Sequence, residues 1–142
     1  MTDLRKTFDD LVRFETMLWA AIDAKLQDGC GLTLSSFNVM LIVDATPECR
    51  VLDIAEALAI TVGGTSQAVD RLEAAGHCAR RPHPSDRRSS IVELTPDGVK
   101  LLRRAEPVFD DELARLIAAP LSSADLTRLA GALDKLRRSA TG

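Results

Sequence analysis

The middle of the chain most constrains the fold, because its helix signals follow one another at short spacings. A short apolar helix is predicted after Thr33, and a third helix is predicted over Val51–Leu58. Thr61 can accept a hydrogen bond from a first-turn amide, so it can begin a fourth helix over 62–75 that Gly76 ends. Two short helices joined by a turn and stopped by glycine have the spacing of a helix-turn-helix.

The sequence changes its period after this helix-turn-helix. Residues 78–82 and 89–94 are predicted strands, and the segment HPSDRR between them is predicted to be a loop. Pro84, Ser85 and Asp86 within it, with Pro82 immediately before it, are turn formers. A β-hairpin that directly follows the second helix of a helix-turn-helix is a wing. The predicted fold class is therefore mainly α, with a small β-hairpin wing.

Long amphipathic helices flank this region on both sides. The first is predicted from about Leu4 to Leu26, with Gly29 and Gly31 ending it. Thr95 and Pro96 begin a long helix that runs to Pro120, and Ser122 begins the last helix. The last helix carries a stripe of leucines that offers more apolar surface than one small chain can cover: Leu126, Leu129, Leu133 and Leu136. We find no linker or repeat, so one domain is predicted.

Charge is unevenly distributed along the 142 residues. The net charge is −3, but the segment 77–88 carries four arginines and one aspartate. A short basic segment on an acidic body favours a nucleic-acid contact, although a solvated loop that happens to be basic remains open. The arginines are Arg80, Arg81, Arg87 and Arg88, and either Arg80 or Arg81 could instead join the wing to the body of the protein.

Catalytic and metal-binding signals are missing from the sequence. The two histidines lie near the wing with no nucleophile beside them, and no phosphate-binding loop or zinc-protease motif occurs. The cysteines lack metal-ligand spacing. We therefore predict no enzyme activity, no cofactor and no metal. Without a signal peptide or a membrane-spanning apolar run, a cytoplasmic location is expected. Cys30 lies between two glycines and is expected to be accessible, which leaves redox sensing open as an alternative.

The wing carries a recognisable motif. Asp86-x-Arg88, Leu94-Thr95 and Gly98 follow the pattern DxR-x5-LT-x2-G, which resembles the wing-to-helix signature of the MarR family. The resemblance extends from about residue 8 to residue 138. It implies a winged helix-turn-helix over about 34–95 between dimerisation helices at about 4–28 and 96–139. It also implies a side-chain pair between Asp86 and Arg88. Arg50 and Leu52 stand where the family places small polar residues.

The resemblance also implies a function. Family members are homodimers that place each recognition helix in a major groove and each wing in a minor groove. Many release DNA when a small aromatic or phenolic effector binds, and others respond to cysteine oxidation. The predicted function is a sequence-specific, ligand-responsive regulator of transcription that acts as a repressor, with double-stranded DNA and a second copy as partners. The alternatives are a winged-helix protein-interaction module without DNA binding and a cysteine-based redox sensor.

Two sets of site residues follow from the pattern and the resemblance. Gly63 and Gly64 have no side chains, so the backbone in the first turn of the recognition helix could approach DNA closely. Gln67 can form two hydrogen bonds with adenine. Arg71 could contact phosphate or pair with Asp70 or Glu73. The predicted DNA-binding residues are Thr61, Gly63, Gly64, Ser66, Gln67, Arg71, Arg87 and Arg88. The predicted ligand-binding residues, for which core and dimer packing is the alternative, are Phe14, Met17, Trp19, Phe37 and Met40.

Overall fold

The computed structural model describes residues 1–141 of the chain. The elements in this range are α1 (Leu4–Cys30), α2 (Leu34–Ala45), α3 (Val51–Leu58), α4 (Val62–Ala74), β1 (Cys78–His83), β2 (Asp86–Leu94), α5 (Pro96–Leu113), a π-helix (Ala114–Ala118) and α6 (Ser123–Ala140). The mainly α fold with one antiparallel hairpin confirms the predicted fold class. Within these residues no single helix is long and apolar enough to cross a membrane, and only the bent pair of α1 and α2 reaches that length and composition together.

Hydroxyl side chains begin four of the helices, as the sequence predicts, and Thr95 is the residue that caps α5. The Thr33 hydroxyl accepts a hydrogen bond from the Ser36 amide at 3.1 Å, and Ser122 does the same for the Asp125 amide at 3.1 Å. The Thr61 hydroxyl accepts from a first-turn amide of α4 at 3.0 Å. Each bond satisfies a donor that has no partner inside the helix. The helix starts are therefore fixed by local chemistry.

Several predicted boundaries are wrong. Helix α1 continues through Gly29 to Cys30, and Gly31, with φ of +62°, is the first residue outside it. The first wing strand extends to His83 and the second begins at Asp86, so most of the predicted loop is strand. A two-stranded sheet has only edge strands, in which proline is tolerated, so the prolines did not exclude a strand. The predicted long fifth helix is α-helical only to Leu113, and a π-helix follows.

The chain forms two compact units. The central unit is Asp23–Val108, and the terminal unit comprises residues 1–22 with the described residues from Phe109 onward. The central unit has an aliphatic core with Phe37 and Met40 fully buried in it. Within the terminal unit only Ile22 and Glu112 are buried, and α6 buries no residue. The terminal unit of one chain therefore has almost no hydrophobic core of its own.

The wing begins and ends at one tightly packed junction. The Thr95 hydroxyl donates to the Gly76 carbonyl at 2.6 Å and accepts from the Gly98 amide at 3.0 Å. The Thr95 amide donates to the His77 carbonyl at 3.1 Å. Gly76 has a φ of +80°, a conformation that glycine adopts without strain. The junction fixes the end of α4 against the start of α5, and it explains the threonine and glycine of the wing-to-helix motif.

We expect Gly98→Ala to lower the free energy of unfolding. A Cβ on residue 98 would lie 2.0 Å from the His77 carbonyl oxygen, so the backbone must shift. Overpacking of this kind costs about 1–3 kcal/mol, and we expect the upper end because the obstacle is backbone. Urea unfolding followed by circular dichroism measures the change.

Gly131→Ala is the matched control for this substitution. A Cβ at Gly131 meets no atom within 4 Å, and the residue is exposed within α6. Alanine there should raise helix stability by up to about 1 kcal/mol. Equal effects of the two substitutions would contradict the role assigned to the junction.

Candidate nucleic-acid interface

Helix α4 exposes one face and buries the other. Thr65, Ala68, Val69 and Leu72 are buried. Thr61, Gly63, Gly64, Gln67 and Arg71 are exposed, so five of the predicted DNA-binding residues form one accessible surface at and after the helix N-terminus. The face available to a ligand therefore matches the predicted face.

The two glycines of α4 differ in their surroundings. A Cβ on Gly63 would meet no atom of residues 1–141 beyond its own helix backbone within 4 Å. A Cβ on Gly64 would lie 3.0 Å from the Thr61 hydroxyl oxygen, which caps the helix. A side chain at position 64 would crowd the Thr61 hydroxyl that caps the helix, which favours glycine there. Nothing within the described chain requires glycine at position 63.

Ser66 lies against the base of the wing. It is half-buried, and its carbonyl and hydroxyl oxygens accept hydrogen bonds from the Arg80 guanidinium at 3.3 and 3.5 Å. The hydroxyl is thus already engaged within the protein. A direct contact from Ser66 to DNA remains a prediction.

Arg80 joins β1 to α4. Its guanidinium lies 2.8 Å from the Asp70 carboxylate and 3.1 Å from that of Glu73, and its backbone amide donates to Glu73 at 3.1 Å. Its side chain is only 22% exposed. Arg80 is therefore the arginine that connects the wing to the body. Among residues 1–141 Arg71 forms no ion pair with Asp70 or Glu73, so that alternative is wrong.

The remaining wing arginines fall into two groups. Arg81 forms an ion pair with Glu93 at 3.1 Å, so it is neutralised within the hairpin. Arg87 and Arg88 are exposed, and within residues 1–141 neither has an acidic partner. The implied pair between the Asp86 and Arg88 side chains is wrong. Asp86 accepts from the backbone amide of Arg88 at 3.0 Å, which leaves that guanidinium available.

A cleft of about 370 Å³ separates the wing from the helices of the central unit. Three arginines and three serines line it together with apolar side chains: Arg50, Arg80, Arg88, Ser66, Ser89, Ser90, Val51, Leu52 and Val62. At its edge the Arg50 guanidinium contacts the His83 ring nitrogen Nε2 at 2.7 Å. The sequence prediction did not include either residue. The one signal in the sequence was Arg50, at a position where the family resemblance implies a small polar residue.

The predicted ligand-binding residues divide between the two units. Phe37 and Met40 are fully buried in the central unit. Met17 and Trp19 are exposed in the terminal unit, where Phe14 lines an apolar cleft of about 360 Å³. The other side chains of that cleft include Leu11, Leu116, Ile117, Leu121 and Leu129. The assignment of these five residues to an effector site remains a prediction.

All three cysteines are buried, which contradicts the expected exposure of Cys30. The helix continues through Gly29, so Cys30 lies in its last turn rather than in an open loop. Burial, reinforced by Asp53, raises the pKa of Cys49 to about 11. Burial also raises the pKa of Cys78 to about 11, with Glu73 adding to the effect and Arg80 opposing it. The thiolate is the reactive form, so these two thiols are unreactive at neutral pH.

An exposed recognition helix and a wing with two unpaired arginines define a winged helix-turn-helix protein. A family model described as MarR family matches residues 32–90. The MarR multiple antibiotic resistance protein of Salmonella typhimurium is 24% identical over 105 residues, which are 74% of this chain and 73% of that protein. The chain is similar to proteins of the MarR family over these residues.

Solved structures of the family have the same fold. AbsC, a transcriptional regulator from Streptomyces coelicolor, superposes with a TM-score of 0.90 at 24% identity over 100% of this chain and 97% of its own. The repressor CouR bound to a 23-mer DNA duplex superposes with a TM-score of 0.82 at 28% identity, covering 90% of this chain and 89% of its own. CouR from Rhodococcus jostii has also been solved with p-coumaroyl-CoA.

Proposed function

We propose that this chain is a homodimeric, sequence-specific DNA-binding regulator that represses transcription in the cytoplasm and is released by a small effector, with no catalytic role. The observation that carries the proposal is the exposed face of α4, next to a wing whose two outermost arginines have no acidic partner among residues 1–141. CouR, which has the same fold, is a repressor solved on a DNA duplex.

The recognition helix supplies the sequence-reading contacts. The exposed Gln67 can form two hydrogen bonds with the edge of an adenine in the major groove. Gly63 leaves the helix backbone accessible to the groove wall, and Arg71 can contact a phosphate. In this proposal one helix supplies both the positioning contacts and the base contacts.

The terminal unit supplies the dimer interface. Its single-chain form exposes a large set of apolar side chains: Leu4, Phe8, Leu11, Val12, Phe14, Met17, Trp19, Leu129, Leu133 and Leu136. So many exposed large apolar side chains on one small unit are typical of an interaction site. A symmetric second copy would bury these side chains and present two recognition helices to two adjacent half-sites of the duplex.

The effector contacts are assigned to the terminal unit. Phe14, Met17 and Trp19 are exposed and suit a flat apolar ligand. Phe37 and Met40 are fully buried and could touch a ligand only after displacement of core side chains. CouR bound to p-coumaroyl-CoA supports an aromatic effector class for this chain as well.

Selection of duplexes from a random-sequence pool by the full chain tests the proposal. A two-fold symmetric dimer should enrich a palindrome whose half-sites are about one helical turn apart. If no sequence is enriched and binding to random duplex shows no salt dependence, the protein-interaction alternative is favoured. The most enriched sequence, called the selected duplex below, is the probe for the following predictions.

Arg87→Ala should weaken binding to the selected duplex and flatten its salt dependence. The same holds for Arg88→Ala. Each lost phosphate contact lowers the slope of log affinity against log salt by about 1, so a dimer should lose about 2. Fluorescence anisotropy at several salt concentrations measures both quantities. Arg104→Ala removes an exposed arginine of α5 and should leave the slope unchanged. Wing variants that keep the wild-type slope would contradict the role of the wing.

Gly63→Ala should stabilise the free protein and weaken its binding to the selected duplex. The added methyl meets nothing in the chain and raises helix stability by up to about 1 kcal/mol. On DNA the same methyl would press against the groove. Thermal unfolding and anisotropy on one preparation measure both effects. Gly131→Ala should stabilise without changing affinity, and a Gly63→Ala variant that binds equally well would exclude close backbone approach.

Leu129→Glu with Leu133→Glu should convert the dimer to a monomer. Both leucines are partly exposed in the single chain. In a symmetric dimer the two introduced carboxylates would be buried in an apolar interface close to the same carboxylates of the second copy, without a cation to pair with. Light scattering gives the mass in solution. Lys135→Glu adds a carboxylate to an exposed position on the same helix outside the leucine stripe and should leave the dimer intact. A dimeric double variant would refute this interface.

A further inference from the structure

The contact between Arg50 and His83 joins two parts of the DNA-binding surface that are 33 residues apart in sequence. Arg50 is the N-cap residue of α3, and its backbone amide donates to the Asp53 carboxylate at 2.9 Å. His83 ends β1, beside the register irregularity at the tip of the hairpin. The contact thus connects the outer end of the wing to the first turn of the helix-turn-helix.

The base of the wing has a separate connection to the same segment. The Val92 amide of β2 donates to the Cys49 carbonyl at 2.7 Å, immediately before Arg50. That bond involves only backbone atoms. The base of the hairpin is therefore held independently of side-chain charge, whereas at the tip the connection depends on one arginine and one histidine.

The chemistry of the two groups determines what the Arg50 contact requires of the ring. A guanidinium can only donate, so Nε2 of His83 must accept and must carry no proton. The other ring nitrogen, Nδ1, accepts from the Ser85 amide at 3.1 Å and lies 3.3 Å from the Ser85 hydroxyl, so the ring meets a donor on each side. If both ring nitrogens carried protons, two cations would meet donor to donor at 2.7 Å. The hydrogen bond therefore exists only with a neutral imidazole.

We propose that Arg50 and His83 are positioning residues that hold the wing tip, and with it Arg87 and Arg88, in place for DNA, and that protonation of His83 releases the tip. The proposal rests on the proposed function for its effect on DNA binding, but the contact itself can be tested without DNA. Histidine is the side chain whose charge ordinarily changes between about pH 5 and pH 8.

The charged groups around His83 come from both sides of the contact. Arg50 and Asp53 belong to the start of α3, and Asp86 is the residue opposite His83 in the hairpin. Arg88 lines the cleft that Arg50 also lines, and α4 contributes the uncharged Val62 and Ser66 there. Substitutions that change any of these charges would alter the electrostatic potential at the ring. The test therefore replaces each histidine by glutamine, which is uncharged.

The chain offers a matched pair of variants, because it contains only two histidines. His83→Gln provides a side-chain oxygen that can accept from Arg50 at every pH. His77→Gln removes the other histidine, which lies at the base of the wing, and leaves the contact unchanged. Arg50→Met removes the donor and keeps most of the side-chain length. Circular dichroism verifies that each full-length variant is folded.

The first measurement is the order of the wing tip without DNA. ¹⁵N relaxation of the amides of residues 85–88 is compared at about pH 8 and about pH 5.5, the range over which histidine changes its charge. We expect the wild type and His77→Gln to lose order on acidification, His83→Gln to stay ordered, and Arg50→Met to be disordered at both values. Ring ¹⁵N shifts should show that Nε2 of His83 carries no proton at the higher pH.

The second measurement is affinity for the selected duplex at the same two values. We expect the wild type and His77→Gln to lose affinity on acidification by a factor on the order of ten, the contribution of a hydrogen bond to a charged group. His83→Gln should keep its affinity. A wild type that binds more tightly in acid would show that His83 acts as a cation toward DNA and would overturn the proposal.

The two measurements separate this proposal from the proposed function. The positioning role is overturned, whatever the DNA result, if the wing tip of the wild type is equally ordered at both pH values. It is also overturned if His83→Gln and the wild type lose the same order on acidification. A pH-dependent wing tip that His83→Gln abolishes, in a protein that selects no duplex, would support the contact and refute the proposed function instead.

Discussion

The structure depends on one close approach, in which the backbone of residue 98 lies against the carbonyl of His77. Because a Cβ there would lie 2.0 Å from that oxygen, only glycine permits it. With Thr95 bonded to the Gly76 carbonyl, this contact brings the two ends of the hairpin to one point beside the end of α4. The pairing of Cys78 with Leu94 then follows, and the alternation of the strands determines which wing residues face solvent.

Ion pairs within the protein decide which cations remain for DNA. The basic segment has four arginines, but Arg80 is held by Asp70 and Glu73, and Arg81 by Glu93. These pairs neutralise charge near the base of the wing, whereas the tip keeps Arg87 and Arg88 exposed. A protein with a net charge of −3 can therefore present a strong local cation where a minor groove concentrates negative potential.

Local patterns predicted the elements better than the contacts between them. Capping by Thr33, Thr61 and Ser122 follows from hydrogen bonds within one turn, and each prediction is confirmed. The wing signature also indicated the family whose model matches residues 32–90. The Arg50–His83 contact spans 33 residues, and the partners of Arg80 lie on a different element, so neither could be read from spacing. Exposure of Cys30 was predicted wrongly because a glycine was taken to end a helix that continues.

The two units differ in where their stability comes from. The central unit buries nearly all of the apolar core of one chain, so its fold does not require a second copy. In the terminal unit only Ile22 and Glu112 are buried in a single chain, so packing within one chain contributes little there. Its order must then come from burial against a partner, which makes it dependent on protein concentration. An effector that contacts Phe14, Met17 or Trp19 would act on the less stable unit, where a small change in binding energy has the largest effect on structure.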